Sequence, residues 1–325
     1  MAELEPNCKN AELESEPEKK TKSETKIRHL VISGGGEIGV SFVAVLEASN
    51  QAGFWKIEDI ETIYGTSAGA LFGTLIAFKK FFTWDIICTF LLKRPWNEVF
   101  VVNADNILSS FANGGIMNKK TTVDFFRPIL NAIDLNVNIT MQELYEVTGI
   151  EMHYMTTNID DFKLVDISYK THPQWKMVEA VYASCALPGM FQPVIIDGRL
   201  YADGAILCNF PLTQCLKIAE HPDEVFALEK ICEETNTDLE PTEPTHIPNL
   251  LTYLSGILLK LLNKAAKPDI YEVSTRNIIQ FSSRATNGFD IHQAAISQEK
   301  RAELYEIGLK KWEDFFANLQ NSPLF

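Results

Sequence analysis

A chain of 325 residues has room for one large domain or two small ones, with enough interior to shape a cleft. Its 46% hydrophobic and 22% charged content is ordinary for a water-soluble fold. A net charge of −14 excludes nucleic acid as a natural partner, since phosphate neutralisation needs a basic surface, and disfavours electrostatic docking on anionic lipid.

Residues 1–26 hold seven Glu and five Lys with almost no large apolar side chains, which predicts a disordered acidic tail lacking the apolar core of a signal peptide. Order is expected from Arg28. His29–Ser33 reads as a strand, Gly34–Gly39 as a glycine turn, Val40–Ala52 as a helix and Gly53 as its C-cap. Ile60–Tyr64 is a second strand, Gly65–Gly69 a second glycine turn and Ala68–Phe78 its helix. Strand, turn and helix repeated twice predict a parallel sheet covered by helices. Phe81–Gly149 reads as mostly helical, with a capping box at Thr140 and Glu143.

Met152–Thr156 and Leu164–Ser168 are predicted strands joined at Asp160-Asp161, and Lys176–Ala186 a helix stopped by Pro188. Asp197-Gly198 between two short apolar runs predicts a hairpin whose second strand, Arg199–Ala202, delivers Asp203 at its end. Pro211 suits the first turn of another helix, and Val225–Leu228 a further strand. Residues 232–248 read as an acidic, Pro-rich loop. Leu250–Leu262 reads as an apolar helix, Ile278–Phe281 as a last strand and Gln298–Leu319 as a closing amphipathic helix. With no uninterrupted run of 18 apolar residues, the chain is expected to be cytoplasmic and to meet membranes only peripherally. Leu250–Leu262 reads as a buried core helix or as a cover of the cleft that dips into a lipid interface, and Phe81-Phe82-x-Trp84 as core or as a lipid-facing cluster. Six scattered cysteines without a C-x-x-C pair imply reduced thiols and no metal site.

Chemistry concentrates at three places. Gly65-Thr66-Ser67-Ala68-Gly69, between a strand and a helix, has the layout of a nucleophile elbow with Ser67 as the nucleophile. Gly34, Gly35 and Gly36 follow the neighbouring strand, so their backbone N–H groups can surround an anion at the same sheet end. That anion is an oxyanion in an acyl-transfer enzyme. The G-x-G-x-x-G spacing also admits a dinucleotide or a plain turn, but no acid closes the second strand to hold a ribose, which favours the oxyanion. Of six histidines, none sits in a setting that announces catalysis, and Asp203 is the better proton acceptor.

Gly34–Gly39, Gly65–Gly69, Ala183–Pro193 and Asp203–Ala205, in this order, resemble the motifs of the patatin-like phospholipases, over about residues 28–220. The resemblance implies an α/β three-layer sandwich with a mostly parallel central sheet. It implies a serine lipid acyl hydrolase with Ser67 as nucleophile, Asp203 as general base and Gly34, Gly35 and Gly36 as the oxyanion hole. Gly39, Gly65, Gly69, Gly204, Asn209 and Pro211 match supporting motif positions. No cofactor or metal is implied, and the partner is a phospholipid or other fatty-acyl ester. One position departs: the family usually has Arg or Lys where this chain has Ile38. The expected organisation is a tail (1–26), a catalytic domain (27–220) and an extension packed on it (221–325). The rivals are an α/β-hydrolase triad using a late histidine such as His292, a Rossmann-type nucleotide binder, and a non-catalytic lipid-binding protein of the same fold.

Overall fold

The sheet grows outward from two buried strands, β1 (His29–Ile32) and β2 (Thr62–Thr66), that run parallel with Ile32 opposite Gly65. The computed structural model describes residues 25–232, 257, 260, 275–283 and 288–321. The tail expected at 1–26 falls almost wholly outside them, as do the loop at 232–248 and all of Leu250–Leu262 except the exposed Ile257 and Lys260.

Eight further strands follow: β3 (Gly115–Met117), β4 (Glu151–Asn158), β5 (Lys163–Ile167), β6 (Gly189–Phe191), β7 (Val194–Ile196), β8 (Arg199–Asp203), β9 (Val225–Cys232) and β10 (Ile278–Ser283). The central sheet has the order β10-β9-β1-β2-β4-β8-β7, with β5 also on β4. From β10 to β4 every neighbour is parallel, while β5, β7 and β8 add antiparallel pairs. The protein is thus mixed α/β with a mostly parallel sheet flanked by helices, as expected. Residues 225–232 and 278–283 are integral strands of that sheet.

Both faces of β1 are buried, so it reads as one apolar run rather than an alternation. Leu30 and Ile32 enter a large core with helices Gly39–Gln51, Ala68–Ala77 and Met177–Cys185. Val31 faces a smaller cluster closed by Leu212 and Cys215 of helix Leu212–Leu216. Pro211 sits just ahead of that helix, at its N-cap rather than inside its first turn. The hairpin at Asp197-Gly198 forms with φ of 50° and 73°, the pair of left-handed residues that a type I′ turn requires. The region read as mostly helical holds helices Trp84–Lys93, Ala104–Asn113, Lys120–Asn131 and Met141–Thr148, the last with its Thr140–Glu143 capping box. It also holds β3, which pairs with β6 in a separate two-stranded sheet.

Candidate active site

Parallel pairing brings the ends of β1 and β2 out together, and the two glycine turns emerge side by side. Ser67 occupies the step from β2 to helix Ala68–Ala77 with φ 53° and ψ −120°, a region that non-glycine residues rarely adopt. Such strain persists only where neighbours over-determine it. Here they do. The Ser67 N–H donates to Ser184 Oγ at 3.0 Å, Ser184 in turn donates to the Met155 carbonyl at 2.6 Å, and the Cys185 thiol donates to the Ser67 carbonyl at 3.1 Å. Gly69 closes the elbow against β1, where a Cβ would stand 2.1 Å from the Ile32 carbonyl oxygen. Only glycine fits there.

Asp203 ends β8 opposite Thr156 and is 1% exposed. Its carboxyl accepts a hydrogen bond from the Ala205 N–H at 2.8 Å and shares the cavity wall with Ser67. Burial pushes it up to about 7, a rise that the Ala205 N–H and the nearby Ser67 side chain only partly offset. A carboxyl so placed is ionised at neutral to basic pH and lines the same cavity as Ser67. No histidine lines the surrounding cleft among the described residues. His292 is absent from its walls, although Ile291, Ala294 and Ala295 of the same helix, Gly288–Ile296, contribute to them.

The glycine turn is strapped to the segment after Asp203. The Gly34 N–H donates to the Asn209 carbonyl at 2.9 Å, and Asn209 Nδ2 returns a bond to the Gly34 carbonyl at 3.3 Å. This corrects one sequence expectation. The Gly34 amide is already spent on Asn209, so Gly34 serves close approach, its α-carbon facing the Asn209 side chain and Ser67. Gly36, at φ 55°, turns the chain into the short 3₁₀ segment Gly36–Ile38 ahead of helix Gly39–Gln51. Gly39 and Gly204 are close approaches to Phe72 and to the Met155 carbonyl, and Gly65 to the backbone of Gly69 and Ala70. Thr66 Oγ1 adds a 3.0 Å bond to the Cys208 carbonyl, tying the elbow strand to the same loop.

Ser67, Asp203 and the glycine turn open on a cavity of about 170 Å³ walled mainly by apolar side chains, among them Leu71, Phe72, Phe100, Phe125 and Phe191. A family model described as "Patatin-like phospholipase" matches residues 30–216. The chain belongs to the patatin-like phospholipase family. It is 25% identical over 190 residues to "Probable lipid hydrolase 463L" of Invertebrate iridescent virus 6, covering 58% of this chain and 63% of that protein. It is 24% identical over 191 residues to "Uncharacterized protein R571" of Acanthamoeba polyphaga mimivirus, covering 59% and 62%. The chain thus spans less than two thirds of the length of these relatives. The crystal structure of VipD from Legionella pneumophila shares its fold with a TM-score of 0.53 at 15% identity, over 90% of this chain and 67% of that one.

Against this patatin-like background, two features escape the sequence reading. Ser184 and Cys185 lie inside the quoted Ala183–Pro193 motif, but nothing local marks their side chains as braces for the elbow. Lys230 of β9 and Arg301 of helix Gln298–Gln320 line the cleft from beyond residue 216, where no motif points to them. Ile38, at the family's usual Arg or Lys position, is buried in the main core.

Proposed function

We propose that this protein is a lipid acyl hydrolase that cleaves fatty-acyl esters through a Ser67 acyl-enzyme. The observation carrying the reading is that Ser67, on its strained strand-to-helix turn, and the buried Asp203 carboxyl meet in the wall of one apolar cleft. Asp203 takes the hydroxyl proton as Ser67 attacks the ester carbonyl. The amides of the glycine turn beyond Gly34 face the developing oxyanion, and the returned proton releases the alcohol. Asp203 then activates water against the acyl-enzyme. A carboxylate has no tautomer to fix, so the pair needs no third orienting residue of the kind an imidazole requires. The family name and the named lipid hydrolase among its relatives support a lipid ester as substrate.

Access to lipid is assigned to helix Ala104–Asn113. None of its residues is buried, and Leu108 and Phe111 are 71% and 73% exposed. The helix contacts β3, whose partner strand β6 carries the lining residue Phe191, and it follows Phe100, another lining residue. In Phe81-Phe82-x-Trp84, Trp84 is buried and donates to Asn50 Oδ1 at 2.8 Å, while Phe81 stays exposed.

An active-serine fluorophosphonate tests the reading. The wild type is expected to be labelled on Ser67 and to release fatty acid from phospholipid or p-nitrophenyl ester, with both signals lost in Ser67→Ala. Labelling that survives in Ser67→Ala, or none in the wild type, sinks it.

A further inference from the structure

The glycine turn carries an acid in an awkward place. Glu37 stands between Gly36 and Ile38 and lines the same cleft as Ser67, with its side chain only 11% exposed. A carboxylate beside amides that must hold an oxyanion opposes the negative charge developing there. Two basic side chains also line the cleft, and they differ in what they do. Arg301 is engaged structurally: its guanidinium donates to the carbonyls of Leu92, Arg94, Ala294 and Ala295 at 2.8–3.2 Å, tying three helix ends together. Lys230 is 2% exposed, and its Nζ lies 3.8 Å from Glu37 Oε1. Its backbone N–H donates to Ser33 Oγ at 2.8 Å, which holds β9 against the residue just before the turn.

We propose that Lys230 is the charge-compensating and positioning residue of the glycine turn: reaching it from β9, it neutralises Glu37 and so keeps the amides beside Ser67 receptive to an anion. The cation that position 38 lacks is thereby supplied from the neighbouring strand. The proposal rests on the reading of Ser67 as nucleophile. It assigns Lys230 no contact with the reacting atoms.

The test is the second-order rate at which a fluorophosphonate labels Ser67 in the full chain, measured well below the melting temperature. The electrostatic role predicts opposite signs for the two partners of one ion pair. Lys230→Met slows labelling roughly tenfold or more, Lys230→Arg keeps most of the rate, and Glu37→Gln accelerates it. Adding Glu37→Gln to Lys230→Met recovers most of the loss. A purely structural pair predicts the same sign for both partners, so slowing by Glu37→Gln overturns the proposal even where Lys230→Met fails to fold. Unchanged labelling of folded Lys230→Met overturns it too. A wild type that is not labelled removes the Ser67 reading, and this proposal with it; a labelled wild type with both single variants slowed removes the proposal alone.

Discussion

Asp203 illustrates how one buried side chain couples activity to stability. In its proposed role as base it acts only when ionised, so kcat/KM is expected to rise with pH through about 7 and level off above it. Stability runs the other way. The folded carboxyl keeps its proton to about 7, whereas the unfolded one loses it in the usual carboxylate range. Between those limits the folded chain binds the extra proton, and stability falls as pH rises. Asp203→Asn removes that penalty while keeping an acceptor for the Ala205 N–H. It is expected to lower kcat roughly 10²–10⁴-fold and to raise stability at pH 8 by on the order of 4 kcal/mol relative to wild type. Urea unfolding at pH 5 and pH 8 checks this: the difference between the two proteins should widen with pH. A constant difference would place the high carboxyl pKa elsewhere.

Among elements, the closing helix Gln298–Gln320 shows a local preference overruled by packing. Gly308 lies in its interior, where glycine costs about 1 kcal/mol relative to alanine. Yet a Cβ there would sit 2.3 Å from the Ser41 carbonyl oxygen and 2.7 Å from Ala44 Cβ on helix Gly39–Gln51. Ser41 Oγ also donates to the Leu304 carbonyl at 2.5 Å, holding the two helices close. Gly308→Val is therefore expected to destabilise by about 1–3 kcal/mol, read as a lower melting temperature; a stabilised variant would mean that the helices separate freely. The same contrast explains what the sequence discloses. Ser67 and Asp203 are legible because strand-end turns mark them locally, and the Asp197-Gly198 hairpin because its backbone needs are local too. β3 and β6 are three residues each, and their partner is far along the chain. The expected strand Val225–Leu228 stops where the charges begin, but the observed one runs on to Cys232 and carries Lys230 to the cleft. Charged residues inside a strand end a hydrophobic reading while the ladder continues.

For the whole molecule, the proposed access to lipid has to contend with a net charge of −14. Charge opposes approach to anionic bilayers within about a Debye length of ~8 Å at physiological salt. No described helix is long and apolar enough to cross a membrane. Contact then falls to the apolar effect, and among the described residues one stretch suits it: from Val99 to Asn118 the only charged residue is Asp105. Within that stretch Leu108 and Phe111 project from a helix with no buried side chain, beside strands that lead to the cleft wall. Each such side chain, moved from water into the acyl boundary, contributes about 1.5–3 kcal/mol. Leu108→Ser combined with Phe111→Ser is therefore expected to weaken partitioning onto zwitterionic vesicles by on the order of 3 kcal/mol, roughly 100-fold. Turnover of a water-soluble short-chain ester should hold near the wild-type rate, because neither side chain lines the cavity. Vesicle sedimentation at low and high salt distinguishes the causes. Apolar insertion predicts wild-type binding to zwitterionic vesicles that barely responds to salt, and binding to anionic vesicles that strengthens as salt screens the repulsion. Binding to anionic vesicles that collapses with salt would instead assign docking to basic side chains, and unaltered partitioning of the double variant would assign it to another part of the chain.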